Sequence, residues 1–337
     1  FSYTGTPYCS NLPNPLPTYS GGGVAGAFSS TAGLAFVSTA TGQVNLGTST
    51  PGGYTVTNTI PAAGGCSLVT SSSPITITAL PTAAISYAGT PFCKSILTSQ
   101  AVTLTGTGAY TGGAYSSTPG LTINAATGDI TPGTSTAGTY TVTYTIPASS
   151  GCASVPVTTS VIITAVPAAT ISYAGSPYCN TIGAGQAVTL TGTSGGTYSS
   201  LPGGLTLNPV TGAVNPSLSV AGTYTVTYTI AATGGCGVVT TTASVTITAL
   251  SAATFSYAGT PYCSNSVDPL PTFSGGGVAG VFSSTAGLVF ISPATGQVDI
   301  SASTSGTYSV TNTIAAAGGC GIVSSTNTIT IDRKSVV

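Results

Sequence analysis

A run of alternating residues that ends in a cysteine occurs four times in this chain, and it limits what the chain can fold into. In the third copy, GTYTVTYTIAATGGC (Gly222–Cys236), Tyr224, Val226, Tyr228 and Ile230 alternate with Thr223, Thr225, Thr227 and Thr229. A period of two marks a β-strand with one buried face, here aromatic and aliphatic residues opposite threonines. The counterparts are Gly53–Cys66, Gly138–Cys152 and Gly306–Cys320. Each strand is predicted to enter a Gly-Gly-Cys or Ser-Gly-Cys turn and to deliver one cysteine to one pole of a small β-domain.

Four openings accompany the four strands: Phe1-Ser-Tyr, Ile85-Ser-Tyr, Ile171-Ser-Tyr and Phe255-Ser-Tyr, at steps of 84, 86 and 84 residues. Self-similarity at a fixed period defines the units directly. The expected domains are 1–80, 81–166, 167–250 and 251–332, followed by a tail at 333–337. The first and fourth share PLPT(Y/F)SGGGVAG(A/V)FSS, whereas the second and third carry QAVTLTG, so two subtypes run in the order A-B-B-A.

Within a unit, (F/I)SY(A/T)G(T/S)P(Y/F)C reads as a short edge strand, with Pro7, Pro91, Pro177 and Pro261 before an aromatic residue and the first cysteine. The middle, Leu205–Val214 and its counterparts Leu34–Val44, Leu121–Ile130 and Leu288–Val298, reads as a hairpin turning at Thr-Gly. A closing strand follows at Ile75–Thr78, Val161–Thr164, Val245–Thr248 and Ile329–Ile331. About six or seven short strands per unit, with frequent turns, predict an all-β fold of four tandem Ig-like β-sandwich domains with negligible helix. The linkers 79–84, 165–170 and 249–254 are short and partly apolar, which predicts a semi-rigid array.

Composition excludes several functions. Three basic and four acidic residues in 337, and no histidine, leave no groove that could neutralise phosphates or lipid headgroups. Threonine, serine and glycine interrupt every apolar run, so no membrane span is expected. Nor does a secretory signal precede Phe1, and the chain is expected to be a mature or excised portion of something longer. Acid–base catalysis needs histidine or paired carboxylates, and the four aspartates are widely spaced, so no enzyme and no cofactor are expected. Calcium would want several carboxylates together, and Asp129, Asp268 and Asp299 lie apart in sequence; no metal site is expected.

The eight cysteines fall two per unit: Cys9 and Cys66, Cys93 and Cys152, Cys179 and Cys236, Cys263 and Cys320. An even number at constant placement predicts one disulfide inside each domain and an oxidising setting. Metal binding is the competing reading, and it lacks histidine and short ligand spacing. A closed loop of about 58 residues would stabilise each domain by roughly 4 kcal/mol on the chain-entropy model. Tyr140, Tyr144, Tyr224 and Tyr228 are expected in cores. Tyr8, Phe92, Tyr178 and Tyr262 are expected against the disulfides. The threonine faces, such as Thr139, Thr141, Thr143 and Thr145, read as solvated strand surface.

The run GGLTLNPVTGAVNPSLSVAGTYTVTYTI (Gly203–Ile230) resembles bacterial immunoglobulin-like repeats of the putative-Ig/cadherin-like kind. The SYAG(T/S)PYC opening and GGC turn are similar to cysteine-bearing repeats of large Bacteroidota surface adhesin or filament proteins. The resemblance covers all four units, although the acidic calcium motifs found between cadherin-type domains are missing. It implies a secreted, surface-attached structural protein: the stalk, fibre or filament of an adhesin. Near-zero charge and abundant β-edges favour self-association as the partnership. The alternative is a carbohydrate- or surface-binding module using loops at one pole, with glycans as partners.

Overall fold

The computed structural model describes residues 1–332, so the expected tail lies outside the described residues. The recurring runs are nine-residue strands: Gly52–Ile60, Gly138–Ile146, Gly222–Ile230 and Gly306–Ile314. Each pairs antiparallel along its length with a ten-residue closing strand, Val69–Thr78, Val155–Thr164, Val239–Thr248 or Val323–Asp332. The inward residues Val56, Val142, Val226 and Val310 are fully buried, as strand alternation dictates. On the outer face threonines bond across strands, Thr223 to Thr246 at 3.1 Å and Thr307 to Thr330 at 3.0 Å.

The opening segment of each repeat divides itself between two sheets. In the second repeat Thr82–Ser86 pairs antiparallel with Thr103–Thr107. The chain then passes the cis Thr90–Pro91 peptide, and Phe92–Cys93 pairs parallel with Ile163–Thr164 at the end of the closing strand. Proline, which offers no N–H to a ladder, fits this switch between sheets. The two sheets enclose a core in which Ile85 and Tyr87 of the opening segment meet Tyr115, Tyr140, Val142, Tyr144 and Ile163. The middle hairpin forms as expected, by Phe36–Val44 and Phe290–Val298 pairing in the outer repeats and Ile123–Ile130 and Leu207–Val214 bridges in the inner ones. Each repeat has its own core, and the fold is an all-β tandem of sandwiches. Among the described residues, helix is limited to the 3-10 turns Pro132–Thr134 and Pro216–Leu218.

The described residues fall into two compact units. One comprises Phe1–Val166 together with the turn Thr233–Cys236, and the other runs from Pro167 without that turn.

Two tyrosine series lock every repeat. The first lies at the start of the long strand, where the hydroxyls of Tyr54, Tyr140, Tyr224 and Tyr308 donate to the carbonyls of Thr50, Thr136, Val220 and Thr304 at 2.5–2.7 Å. A phenol reaching back to the backbone just upstream is the tyrosine corner of Ig-like sandwiches. The second lies in the opening segment. Tyr3, Tyr87, Tyr173 and Tyr257 donate to the carbonyls of Gly42, Gly128, Gly212 and Gly296 at 2.5–2.7 Å. Those glycines close the Thr-Gly turns with φ of +72° to +78°. A Cβ on Gly128 would lie 2.7 Å from the Tyr115 ring, so the turn admits only glycine.

Burial pushes the phenols of Tyr3, Tyr87, Tyr173 and Tyr257 well above the ordinary tyrosine value. For an acid raised on folding, the stability it contributes is complete below the unfolded value, about pH 10, and is lost as pH rises beyond it. All four repeats are therefore expected to lose stability together in strong alkali. A titration that follows phenolate absorbance alongside circular dichroism checks this, with these four tyrosines ionising only as ellipticity is lost.

The A and B subtypes are two solutions to one packing problem. Subtype B places Tyr144 or Tyr228 on the long strand, packed at a tilt of 40° or 41° against Tyr115 or Tyr198, with 4.6 and 4.7 Å between ring centroids. The Tyr144 hydroxyl accepts from Gly113 N at 2.9 Å and donates to the Tyr110 carbonyl at 2.8 Å. Subtype A has Asn58 and Asn312 at that position. Asn312 Oδ1 accepts from Gly280 N at 2.7 Å, and Nδ2 donates to the Val278 and Ala253 carbonyls at 2.9 and 3.0 Å. The smaller asparagine leaves room that Phe1 and Phe255 fill, edge-on to Phe28 and Phe282 at 5.4 and 5.2 Å, where subtype B has Ile85 and Ile171.

Candidate functional site: joints between repeats

The two cysteines of one repeat stand at opposite poles. Cys9 is level with Thr78, the last residue of the Val69–Thr78 strand, whereas Cys66 precedes that strand. Ten residues of strand at about 3.3 Å each put roughly 30 Å between them. A disulfide needs Cα atoms within about 7 Å.

The expectation of one disulfide inside each domain is therefore corrected. The first cysteine of a repeat bonds the second cysteine of the next: Cys9 to Cys152, Cys93 to Cys236 and Cys179 to Cys320, with Cα atoms 4.7, 4.7 and 4.6 Å apart. Cys66 and Cys263 are free thiols, both exposed. Each bonded pair closes a loop of 141 to 143 residues, for which the chain-entropy model gives about 5 kcal/mol. That is little more than the shorter loop would supply. What changes is that covalent bonds join neighbours instead of closing single domains.

The joints are built alike from backbone upward. The acceptor half is the cis-proline segment. Thr6, Thr90 and Ser176 take a closing-strand N–H on their hydroxyl oxygens at 2.7, 3.1 and 3.0 Å. That bond holds the following cysteine at the edge of the sheet. The donor half is a four-residue turn closed by a bridge, Ser149 with Cys152, Thr233 with Cys236 and Ala317 with Cys320. In the last two turns both glycines have positive φ; in the first, Ser150 takes φ 50° beside Gly151. The glycine before the cysteine lies flat on the acceptor. A Cβ on Gly151, Gly235 or Gly319 would come within 1.9, 2.1 and 2.1 Å of the carbonyl oxygens of Pro7, Pro91 and Pro177. In the second unit the linker residues Ala249 and Leu250 share a small cavity of about 60 Å³ with Ile314, Ala317, Cys320 and Val323, so apolar side chains meet beside the sulfurs.

This geometry makes Gly235→Ala a sharp test. The turn cannot seat on Pro91, so Cys236 is expected to remain a free thiol and the staple of about 5 kcal/mol to be lost. Gly65→Ala is the control, because Gly65 has the same left-handed backbone at φ +88° but no atom within 4 Å of its added Cβ. Only the left-handed penalty of about 1 kcal/mol should appear there. Alkylation of free thiols and thermal melts distinguish the two variants.

The remaining sequence-derived sites fall into structural roles. Phe92 and Tyr178 are core residues, and Tyr8 and Tyr262 pack against the cores of their repeats. Asp268 Oδ1 accepts from Ile300 N at 2.9 Å, the place Asn14 fills for Leu46 N at 2.9 Å. Asp299 Oδ1 accepts from Ala302 N at 2.9 Å and Ser301 Oγ at 2.8 Å, bonds that hold its carboxyl below the usual carboxylate value. Among the described residues no three His, Cys, Asp or Glu side chains gather into a metal-binding group. No described helix is long and apolar enough to cross a membrane. Repeat three carries an open cleft of about 530 Å³ whose lining includes Tyr198, Tyr228, Val188 and Leu190, with no charged side chain. Its two tyrosines are core residues; the tyrosine most open to solvent among the loops is Tyr19, at 38% exposure.

No protein-family model matches the chain, and no curated protein sequence does. Solved structures similar to it include Drosophila N-cadherin EC1-4, at 12% identity over 99% of this chain and 98% of that one, with a TM-score of 0.32. A three-Ig segment of titin is similar at 13% identity over 66% of this chain and 83% of its own, TM-score 0.36. A SusE-like surface-located polysaccharide-binding protein from Bacteroides thetaiotaomicron is similar at 14% identity over 96% of this chain and 71% of its own, TM-score 0.21. Likenesses this distant carry no function across.

Proposed function

We propose that the chain is a structural, extracellular β-repeat protein without catalytic activity: a length of stalk or filament of a bacterial surface adhesin of the Bacteroidota type. The observation that carries this reading is that all three disulfides run from one repeat to the next. Bonds placed there do little extra for the stability of a single domain and hold successive domains in covalent register. Such bonds persist in oxidising surroundings outside the cytosol. A surface with three basic and four acidic residues in 337 lacks the charge repulsion that keeps monomers apart, and it favours association between copies.

Electron micrographs of the purified, unreduced protein test the reading. Elongated assemblies of regular width are expected, and dispersed monomers at high concentration would count against it. A carbohydrate-binding role is the second reading, and the exposed ring of Tyr19 is the observation in its favour. Glycan-array binding lost in Tyr19→Ala, with the melting temperature unchanged, would favour that reading instead.

A further inference from the structure

Cys66 and Cys263 lie on segments shaped like the two halves of the completed joints. The donor half is already shaped. Ala63 and Cys66 are bridged as Thr233 and Cys236 are, and Gly64 and Gly65 have φ of +59° and +88° against +57° and +78° at Gly234 and Gly235. In the seated turns the second glycine lies on a neighbour's carbonyl and the first, where it is glycine, lies against a threonine side chain, yet at Gly64 and Gly65 an added Cβ would meet nothing. The acceptor half is shaped too. Thr260–Pro261 is cis, Tyr262–Cys263 pairs parallel with Ile331–Asp332, and Thr260 Oγ1 accepts from Thr330 N at 2.9 Å. The sequence differs at the strand end: Asp332 stands where Thr78, Thr164 and Thr248 stand, and Arg333-Lys334 follow it where Ala79-Leu80, Ala165-Val166 and Ala249-Leu250 follow those threonines.

Burial tells the same story. The six bonded cysteines are at most 8% exposed, while Cys66 and Cys263 are open to solvent. Val69 is 54% exposed, although Val155, Val239 and Val323 at the same position are half-buried beside their joints. A turn and a seat that match three completed joints, each without its counterpart among the described residues, identify what each would take.

We propose that Cys263 of one molecule accepts the Gly64-Gly65-Cys66 turn of a second copy, and that copies join head to tail through this disulfide. The inference deepens the structural reading above by naming how copies join. Bond formation requires a small-molecule disulfide such as oxidised glutathione. The two thiols lose two protons and two electrons, the oxidant's S–S bond is cleaved to two thiols, and one Sγ–Sγ bond is made between the copies.

Residues 1–337, equilibrated at high concentration in a glutathione redox buffer and quenched by alkylation, are expected to give a ladder of multimers without reductant. The cross-linked peptide should contain Cys66 and Cys263. Cys66→Ser and Cys263→Ser alone are each expected to lose every species above monomer. Their mixture should restore a dimer and nothing larger, because one variant keeps only the seat and the other only the turn. Full alkylation of both thiols in the unmutated protein would overturn the proposal. An abundant dimer in Cys263→Ser, from Cys66 pairing with itself, would do the same. Filaments seen with Cys66→Ser/Cys263→Ser would remove this joint and leave the structural reading standing; a covalent ladder with no elongated particles would do the reverse.

Discussion

A single cut in the chain between Cys9 and Cys320 will leave the molecule in one piece until reductant is added, and will divide it afterwards. The loops 9–152, 93–236 and 179–320 overlap, so every peptide bond from residue 9 to residue 320 is spanned by at least one disulfide. The decisive place to cut is the linker at Ala165 and Val166, both exposed to solvent. Pairing inside each domain would leave that linker outside every loop, and a cut there would release two halves at once. With the observed pairing, the halves stay joined through Cys93–Cys236. A protease site introduced at this point, followed by mass measurement with and without reductant, gives an all-or-none answer. One intact mass before reduction and two fragments after it are expected. Fragments without reductant would show that the pairing is wrong.

Asn312→Ala is expected to be the most damaging single change inside a repeat, at about 3 kcal/mol or more. The side chain is fully buried and serves three backbone groups, Gly280 N–H and the carbonyls of Val278 and Ala253. Truncation strands all three, and each buried orphan costs about 1–3 kcal/mol. The subtype B residue at this position serves the same kind of backbone groups with a phenol, so Asn312→Tyr isolates packing from hydrogen bonding. Alone it should destabilise by about 1–3 kcal/mol, since the tyrosine ring must enter space held by Phe255. Adding Phe255→Ile, the residue subtype B carries there, should recover most of the loss, a coupling that a double-mutant cycle reads directly. Strict additivity of the two changes would show that the subtypes do not differ by this exchange.

Much of the fold is legible in the residues because its causes are local. Alternation of Tyr140, Val142 and Tyr144 with Thr139, Thr141 and Thr143 both names the strand and tells its buried face. The Thr-Gly turns require a left-handed residue, and glycine supplies it. The disulfide partners are not legible from the count of cysteines, because two per repeat suits either pairing. The signal was in strand geometry. A ten-residue strand separates Cys66 from the level of Cys9, and only the parallel pairing of Tyr8–Cys9 with Ile77–Thr78 reveals at which end Cys9 lies. Parallel contact between segments some 70 residues apart leaves no local pattern. The Gly-Gly before the second cysteine reads as a tight left-handed turn, and only the structure shows its second glycine lying against a neighbour's carbonyl at Gly235 and Gly319.

Overlapping bridges also set how far the chain can be drawn out under tension. Pulled from its ends, the oxidised chain carries force along residues 1–9, 152–179 and 320 onward, with the sulfurs bridging the rest. At about 3.5 Å per residue, that path has a contour of less than roughly 200 Å, against more than roughly 1000 Å once the bridges are reduced. A repeat whose core gave way under load would release almost no slack and could refold in place.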